Sequence, residues 1–167
     1  QFQQGLGIFP YSTLLQNSLF QLKYGKRQEY GSFYGEFAAY YSREKIEKWG
    51  IDIIIPVPLH PRRLEKRGYN QAGIIAEALG KQLEISVEEK ILKRQKNTKP
   101  QKELNHQERQ KNMKNAFVVR KKLNGENILL VDDIYTTGST IEEAAKELKR
   151  AGAEKIFFLT VAIGADG

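Results

Sequence analysis

Residues 131 to 140 read Val-Asp-Asp-Ile-Tyr-Thr-Thr-Gly-Ser-Thr and combine two chemistries in one short stretch. Asp132 and Asp133 directly follow the apolar run 128–131, so both carboxylates fall at the carboxyl end of a strand expected to be buried. Adjacent acids there cost free energy unless a ligand or donor pairs them. Thr136, Thr137, Gly138, Ser139 and Thr140 supply hydroxyls, successive backbone N–H groups and a glycine free to adopt positive φ, the parts of a phosphate cradle. Ser139 and Glu142 fit a capping box, so a helix is expected to begin there with its positive dipole end aimed at the anion. Carboxylates accept from a sugar diol while the loop donates to phosphate, and ribose 5-phosphate satisfies both. The sequence holds no G-x-x-x-x-G-K-[ST], no G-x-G-x-x-G after a strand and no D-x-D pair of the haloacid-dehalogenase kind. The bland alternative is an ordinary capped strand-to-helix turn.

A second concentration of chemistry is electrostatic. The 27 Lys and Arg against 20 Asp and Glu give a net charge of +7, and the excess is local. Residues 93 to 122 hold 11 basic side chains against the two acids Glu103 and Glu108, leaving 16 basic against 18 acidic elsewhere. Such a segment suits an anionic partner, with a solvated polar loop as the plain alternative. It carries no aromatic before Phe117, which argues against base stacking within it. With 0 Cys there is no disulfide framework, thiol nucleophile or cysteine-held zinc, and the only imidazoles are His60 and His106. The longest apolar runs have strand length, far below the ~20 residues of a membrane-spanning helix, so no membrane span is expected and a cytoplasmic location is the default.

These groups need a scaffold, and the spacing of apolar residues predicts an α/β sheet, mainly parallel and covered by helices on both faces. Residues 10 to 50 show two helical stripes: Leu14, Leu15, Leu19 and Leu22, then Phe33, Phe37, Tyr40 and Tyr41, with a break at 23–27. Tyr11, Phe20, Phe33 and Phe37 are expected in the core, while Lys23, Tyr24 and Lys26 are placed to cover an acceptor pocket. A strand over 51–59 closes with Pro56 and Pro58 and leads to a helix at 70–83. Residues 85–92 and 117–119 are weaker strand candidates around a polar loop at 93–115. The last third reads as strand 127–131, loop, helix 140–151 and strand 155–163, a right-handed parallel crossover. Ligands in such sheets sit beyond the carboxyl ends of the strands. One domain is expected, with residues 1–50 its helical N-terminal part and 51–167 its core.

The 131–140 segment resembles the ribose-phosphate signature of type I phosphoribosyltransferases. Leu-Lys-Tyr-Gly-Lys at 22–26, Pro-Val-Pro-Leu-His-Pro-Arg-Arg-Leu-Glu-Lys-Arg-Gly-Tyr-Asn-Gln-Ala at 56–72, and the spaced Arg94, Thr98, Gln101, Leu104, Arg109, Asn112, Ala116 and Phe117 narrow the likeness. Together they resemble the ComF group of competence-associated, amidophosphoribosyltransferase-like proteins. The resemblance implies a type I phosphoribosyltransferase fold with a flexible basic hood at 93–115. It implies a 5-phosphoribosyl-1-pyrophosphate or ribose 5-phosphate type of ligand, with Asp132 and Asp133 on the diol and residues 136–140 on the 5-phosphate. Pro58, Leu59 and His60 become the pyrophosphate loop, in a strained or cis conformation, with Arg67 beside it and Arg62, Arg63 and Lys66 as further cations. Asn70 is a further candidate at the start of the next helix. Arg94, Thr98, Lys99, Gln101 and Arg109 become hood contacts. Mg²⁺ would be held mainly through ligand oxygens and water, with no protein metal ligand assigned. Whether pyrophosphate is displaced catalytically, and by which acceptor, stays open; no catalytic residue is assigned. The rival reading is a DNA-uptake accessory module that binds single-stranded DNA or competence proteins, with a sensory or vestigial sugar-phosphate site. Many relatives carry a cysteine-rich zinc module ahead of this domain, so the chain is expected to be part of a longer protein or a shorter variant.

Overall fold

In chain order the elements of the computed structural model are β1 (Gln4–Pro10), α1 (Thr13–Tyr24), α2 (Gln28–Trp49), β2 (Ile53–Pro56), α3 (Pro61–Arg67), α4 (Gln71–Leu83) and β3 (Ser86–Val87). They continue with β4 (Leu92–Arg94), α5 (His106–Met113), β5 (Phe117–Val119), β6 (Asn127–Tyr135), α6 (Ser139–Arg150) and β7 (Lys155–Ile163). The structure describes residues 2–99 and 103–164. Among the described residues no helix is long and apolar enough to cross a membrane.

Five strands form one parallel sheet in the order β1-β7-β6-β2-β3, and β4 and β5 form a separate antiparallel ribbon. β6 and β7 are central, and their near-continuous Ile, Leu, Val and Phe content follows from burial on both faces. One face is covered by α1, α2 and α4, with Leu22, Ile46, Ile75 and Leu79 packed on Leu129, Val131 and Leu159. The other is covered by α6 and the ribbon, with Ile141, Ala144, Ala145 and Leu148 packed on Ile128, Leu130 and Ile156. Those four α6 positions recur at three and four residues, the stripe a surface helix needs.

The order of the strands locates the crevice. From β2 the chain passes through α3 and α4 to β3 on one side, whereas from β6 it passes through α6 to β7 on the other. The two crossovers diverge between β2 and β6, the topological switch point where such sheets bind ligands. β2 pairs with β6 only as far as Pro56 opposite Val131, while β6 runs on beside β7 to Tyr135 opposite Ile163. Asp132 and Asp133 therefore stand just where β6 loses its β2 neighbour.

Several expectations are corrected. Residues 4–10, assigned to a helical part, form the edge strand β1. The single strand expected at 85–92 is two strands in different sheets, β3 and β4. The polar loop at 93–115 contains β4 and the helix α5, capped by a reciprocal Asn105–Glu108 box. The aromatic stripe of α2 faces outward: Phe33 and Tyr40 are 58% and 87% exposed, and Tyr11 and Phe20 are exposed on and before α1. The reason is close packing of α2 on α4, through Gly31 against Ile74 and Gly35 against Ile75 and Ala78. A Cβ on Gly35 would lie 2.4 Å from the Ile75 carbonyl oxygen, so only small side chains fit that seam. Phe37 is half-buried, stacked on Phe9 of β1 at 5.1 Å between ring centroids.

Candidate functional site

The carboxylates at the end of β6 are almost fully buried, Asp132 at 9% and Asp133 at 3% exposure. Each uses one oxygen locally: the Asp133 N–H donates to Asp132 Oδ1 at 2.8 Å, and the Ile134 N–H to Asp133 Oδ1 at 3.0 Å. The remaining oxygen of Asp133, Oδ2, lies 2.7 Å from the Lys23 ammonium. Burial and the charge of Asp133 push the Asp132 carboxyl well above its ordinary range. Lys23 holds Asp133 below that range against the opposing effect of burial. The two carboxyls are thus set apart, Asp132 biased toward its protonated form and Asp133 toward its ionised form, so that the pair can offer a donor beside an acceptor.

Lys23 stands outside the set expected to meet the carboxylates, having been placed over an acceptor pocket. A signal was present: the α1 positions three and four before it are Phe20 and Leu19, and α1 ends at Tyr24, so its counter-ion cannot come from its own helix.

Beyond the carboxylates the chain turns through Thr136 and Thr137 to Gly138, at φ 79°. A Cβ there would lie 2.5 Å from the Tyr135 hydroxyl, so the position requires glycine on both conformational and steric grounds. The expected Ser139 capping box does not form. Gly138 is the N-cap, no side chain caps α6, and Ser139 Oγ instead shares a 3.0 Å hydrogen bond with Thr137 Oγ1. The helix starts one residue earlier than expected and presents its amino end to the crevice, where the dipole favours an anion. Arg109 Nη1 of α5 reaches Thr136 Oγ1 at 3.5 Å, joining the hood to this cradle.

Across the crevice, Pro58 is buried and Leu59 and His60 are half-buried. His60 is the N-cap of α3, its Nδ1 accepting from the Arg62 N–H at 3.2 Å. The strained or cis peptide expected here is absent: every peptide bond among the described residues is trans, and the non-glycine positive-φ residues are Lys26, Glu84 and Asn115. The His60 cap lets the chain leave β2 in relaxed geometry, with φ −62° and ψ 142°. Asn70 is accounted for structurally, since it caps α4 through Ala72 N–H and donates from Nδ2 to the Val57 carbonyl at 3.0 Å.

The cations gather in an uneven way. Arg63, one of the further cations expected beside the pyrophosphate loop, donates to the Thr98 carbonyl, while Arg94 Nη2 donates to Thr98 Oγ1 at 2.5 Å. Thr98 is buried at 3% exposure, and neither guanidinium has a carboxylate within ion-pair distance among the described residues. Burial and the charge of Arg63 lower Arg94 to about 10. Arg67 lies over the Tyr24 ring at 5.3 Å and donates to Gln71 Oε1. Lys99 is exposed, its backbone held by Asn112 through hydrogen bonds of 3.1 and 2.9 Å. Gln101 lies outside the described residues.

A parallel sheet with its switch point between β2 and β6, two carboxylates at the end of β6 and an open helix terminus after them is the arrangement of a type I phosphoribosyltransferase fold. The phosphoribosyl transferase domain family matches residues 38–166. The DNA utilization protein YhgH of Shigella flexneri is 31% identical over 158 residues, covering 93% of this chain and 70% of that protein. Competence protein F of Haemophilus influenzae is 42% identical over 108 residues, 63% of this chain and 47% of its own length, so the matched part spans about half of that relative. Competence protein ComFC of Bacillus subtilis is 29% identical, over 90% of this chain and 60% of that protein. The purine phosphoribosyltransferase of Pyrococcus horikoshii shares the fold, with a TM-score of 0.52 at 21% identity, over 80% of this chain and 76% of that one. The chain belongs to the ComF group of the phosphoribosyltransferase superfamily.

Proposed function

We propose that this protein binds a 5-phosphoribosyl-1-pyrophosphate type of ligand in the crevice between β2 and β6, in the cytoplasm, in the service of DNA uptake. The observation that carries this reading is the uncapped amino end of α6, opening directly after two buried carboxylates at the switch point of the sheet. A ribose diol meets two carboxyls, Asp133 biased toward its ionised form and Asp132 toward its protonated form, which together accept and donate. The 5-phosphate lies against Thr136, Thr137, Gly138, Ser139 and Thr140. The pyrophosphate faces the Pro58–His60 loop, with Arg67 and the Arg63–Arg94 pair as its counter-charge. Lys99 and Arg109 belong to the hood above it.

The residues present fit a Mg²⁺ carried by the ligand. Asp132 and Asp133 each have one oxygen taken by a backbone N–H, and Asp133 Oδ2 is held by Lys23, so the ion's oxygens would come mainly from pyrophosphate and water. Held in this way, such an ion would supply neutralising charge to the pyrophosphate leaving group. The chain's own groups orient the sugar through Asp132 and Asp133, fix its phosphate and supply positive charge where pyrophosphate leaves. In a transfer reaction a nucleophile on the opposite face of C1 forms a bond to carbon as the C1–O bond breaks, and the electron pair departs on pyrophosphate. A thermal shift series with phosphoribosyl pyrophosphate, ribose 5-phosphate and inorganic pyrophosphate, each with Mg²⁺, tests the reading. Stabilisation by the first two supports it, and indifference to all three refutes it.

A second reading has its own support in the exposed Lys93, Lys96, Lys111 and Lys114 on the hood and in the relatives, which are a competence protein and a DNA utilization protein. Here the hood lies along the phosphates of single-stranded DNA or against a competence protein, and the sugar-phosphate site is a sensor. Single-stranded DNA affinity that falls steeply with salt and is lost on Lys-to-Glu changes in the hood favours this role.

A further inference from the structure

We propose that Lys23 is a positioning residue of the sugar site, one that orients Asp133 through its Oδ2 oxygen and that the ligand's hydroxyls must share. The proposal rests on the diol reading of Asp132 and Asp133 and adds a third group to it, from a different part of the chain. The contact is close, at 2.7 Å, and its carboxylate end is buried, with side-chain exposures of 28% for Lys23 and 5% for Asp133.

The lysine is presented by its surroundings and is not a surface side chain that has found an acid by chance. Lys23 lies in the last turn of α1, whose end is held on several sides. Leu22 is fully buried in the core below, the Tyr69 hydroxyl donates to the Leu22 carbonyl, and Arg67 covers the Tyr24 ring. Gly25 closes the helix by donating to the Gln21 carbonyl at 2.9 Å. Residues 22–24 thus tie the end of α1 to α3 and to the start of α4, and Lys23 bridges from that tie to β6.

Lys23 is also the one cation in ion-pair contact with Asp132 or Asp133 among the described residues. The other charges facing the pair act at longer range, with Arg94 of β4 on Asp132 and Arg67 of α3 on Lys23. Without the ammonium, two adjacent buried carboxyls would share one low-dielectric site, and Asp133 would take up a proton at higher pH. The acceptor half of the diol site would then be lost in the neutral range. An arginine at this position keeps the charge, whereas a methionine keeps only the chain length.

The experiment measures carboxyl chemical shifts of Asp133 against pH in ligand-free wild-type, K23R and K23M proteins. Ribose 5-phosphate affinity is then measured on the same three, as a function of pH. In wild type and K23R, Asp133 stays ionised across roughly pH 5 to 8 and affinity is flat over that window. In K23M, Asp133 titrates upward, and affinity falls by about tenfold or more, the loss growing as pH decreases. Wild-type binding that K23M leaves unchanged in strength and pH profile would overturn the role of Lys23 alone. A wild-type protein that takes up neither ribose 5-phosphate nor phosphoribosyl pyrophosphate would overturn the sugar-site reading and the proposal with it.

Discussion

Asp132 and Asp133 are neighbours in sequence with opposite energetic roles. Asp132 is raised by burial and by Asp133, so its charged form opposes folding. A carboxyl with a raised folded pKa loses stability as pH rises from its unfolded value toward its folded one. Asp132→Asn should therefore stabilise the ligand-free protein by about 1–2 kcal/mol at neutral pH, a gain that vanishes toward pH 4. The Asn side-chain oxygen still accepts from the Asp133 N–H. Asp133 has the opposite sign: it is held low by Lys23, so its contribution is present at neutral pH and lost as pH falls through its folded value. Asp133→Asn should cost about 1–3 kcal/mol, less than a fully buried pair because Lys23 keeps 28% exposure. Denaturant melts of both variants across pH check the pair of signs, and a shared sign would refute the assignment. The arginines give a second residue-scale prediction. Arg94→Met retains packing on the Phe117 ring but removes half of the Arg63–Arg94 charge. Affinity for phosphoribosyl pyrophosphate should fall by about 10- to 100-fold while that for ribose 5-phosphate holds. Equal losses for both ligands, measured by titration, would place the arginines elsewhere.

At the scale of elements, the strand-turn-helix around residues 127–150 was legible because three signals coincide there: an apolar run, turn residues and a helical stripe. Its starting residue was misjudged by one because a positive-φ glycine replaced a serine cap, and a sequence pattern fits either. The hood was not legible as structure. α5 is almost wholly polar, with Met113 its buried residue, so no stripe announces it. What fixes it lies far away in the chain: Asn115 N–H to Glu143 at 2.9 Å, and Phe117 and Met113 in the core against α6. The α2 face was misread for a related reason, since aromatic residues at helical spacing look like core until the small residues Gly31 and Gly35 on the other side meet α4. With Met113 its one buried residue and a strongly basic segment around it, α5 should exchange its amides faster than α6 at low salt, and phosphoribosyl pyrophosphate with Mg²⁺ should slow it. Hydrogen exchange of the free and liganded protein is the measurement. α5 protection equal to that of α6 without ligand would rule out an anion-ordered hood.

For the whole molecule, the sheet order explains why dispersed segments form one site. β2 and β6 diverge in their crossovers, so the Pro58–His60 loop, the acids and α6 face one crevice, and α1 closes it with Lys23. Sequence patterning reached β2, β5, β6, β7 and both loops, because each carries a local signal, but it missed β1 and merged β3 with β4. It did not reach the convergence of Lys23, Arg63 and Arg94 on them, which depends on how distant elements pack. The central claim is that this crevice takes a phosphorylated, pyrophosphorylated ribose. Isothermal titration of wild-type protein with phosphoribosyl pyrophosphate and Mg²⁺, beside an Asp132→Asn and Asp133→Asn double variant whose fold is confirmed by circular dichroism, tests it most directly. Saturable binding by wild type, and a loss of about tenfold or more in the double variant, is the predicted result. Equal affinity of the two proteins, or no binding by either, would contradict the assignment.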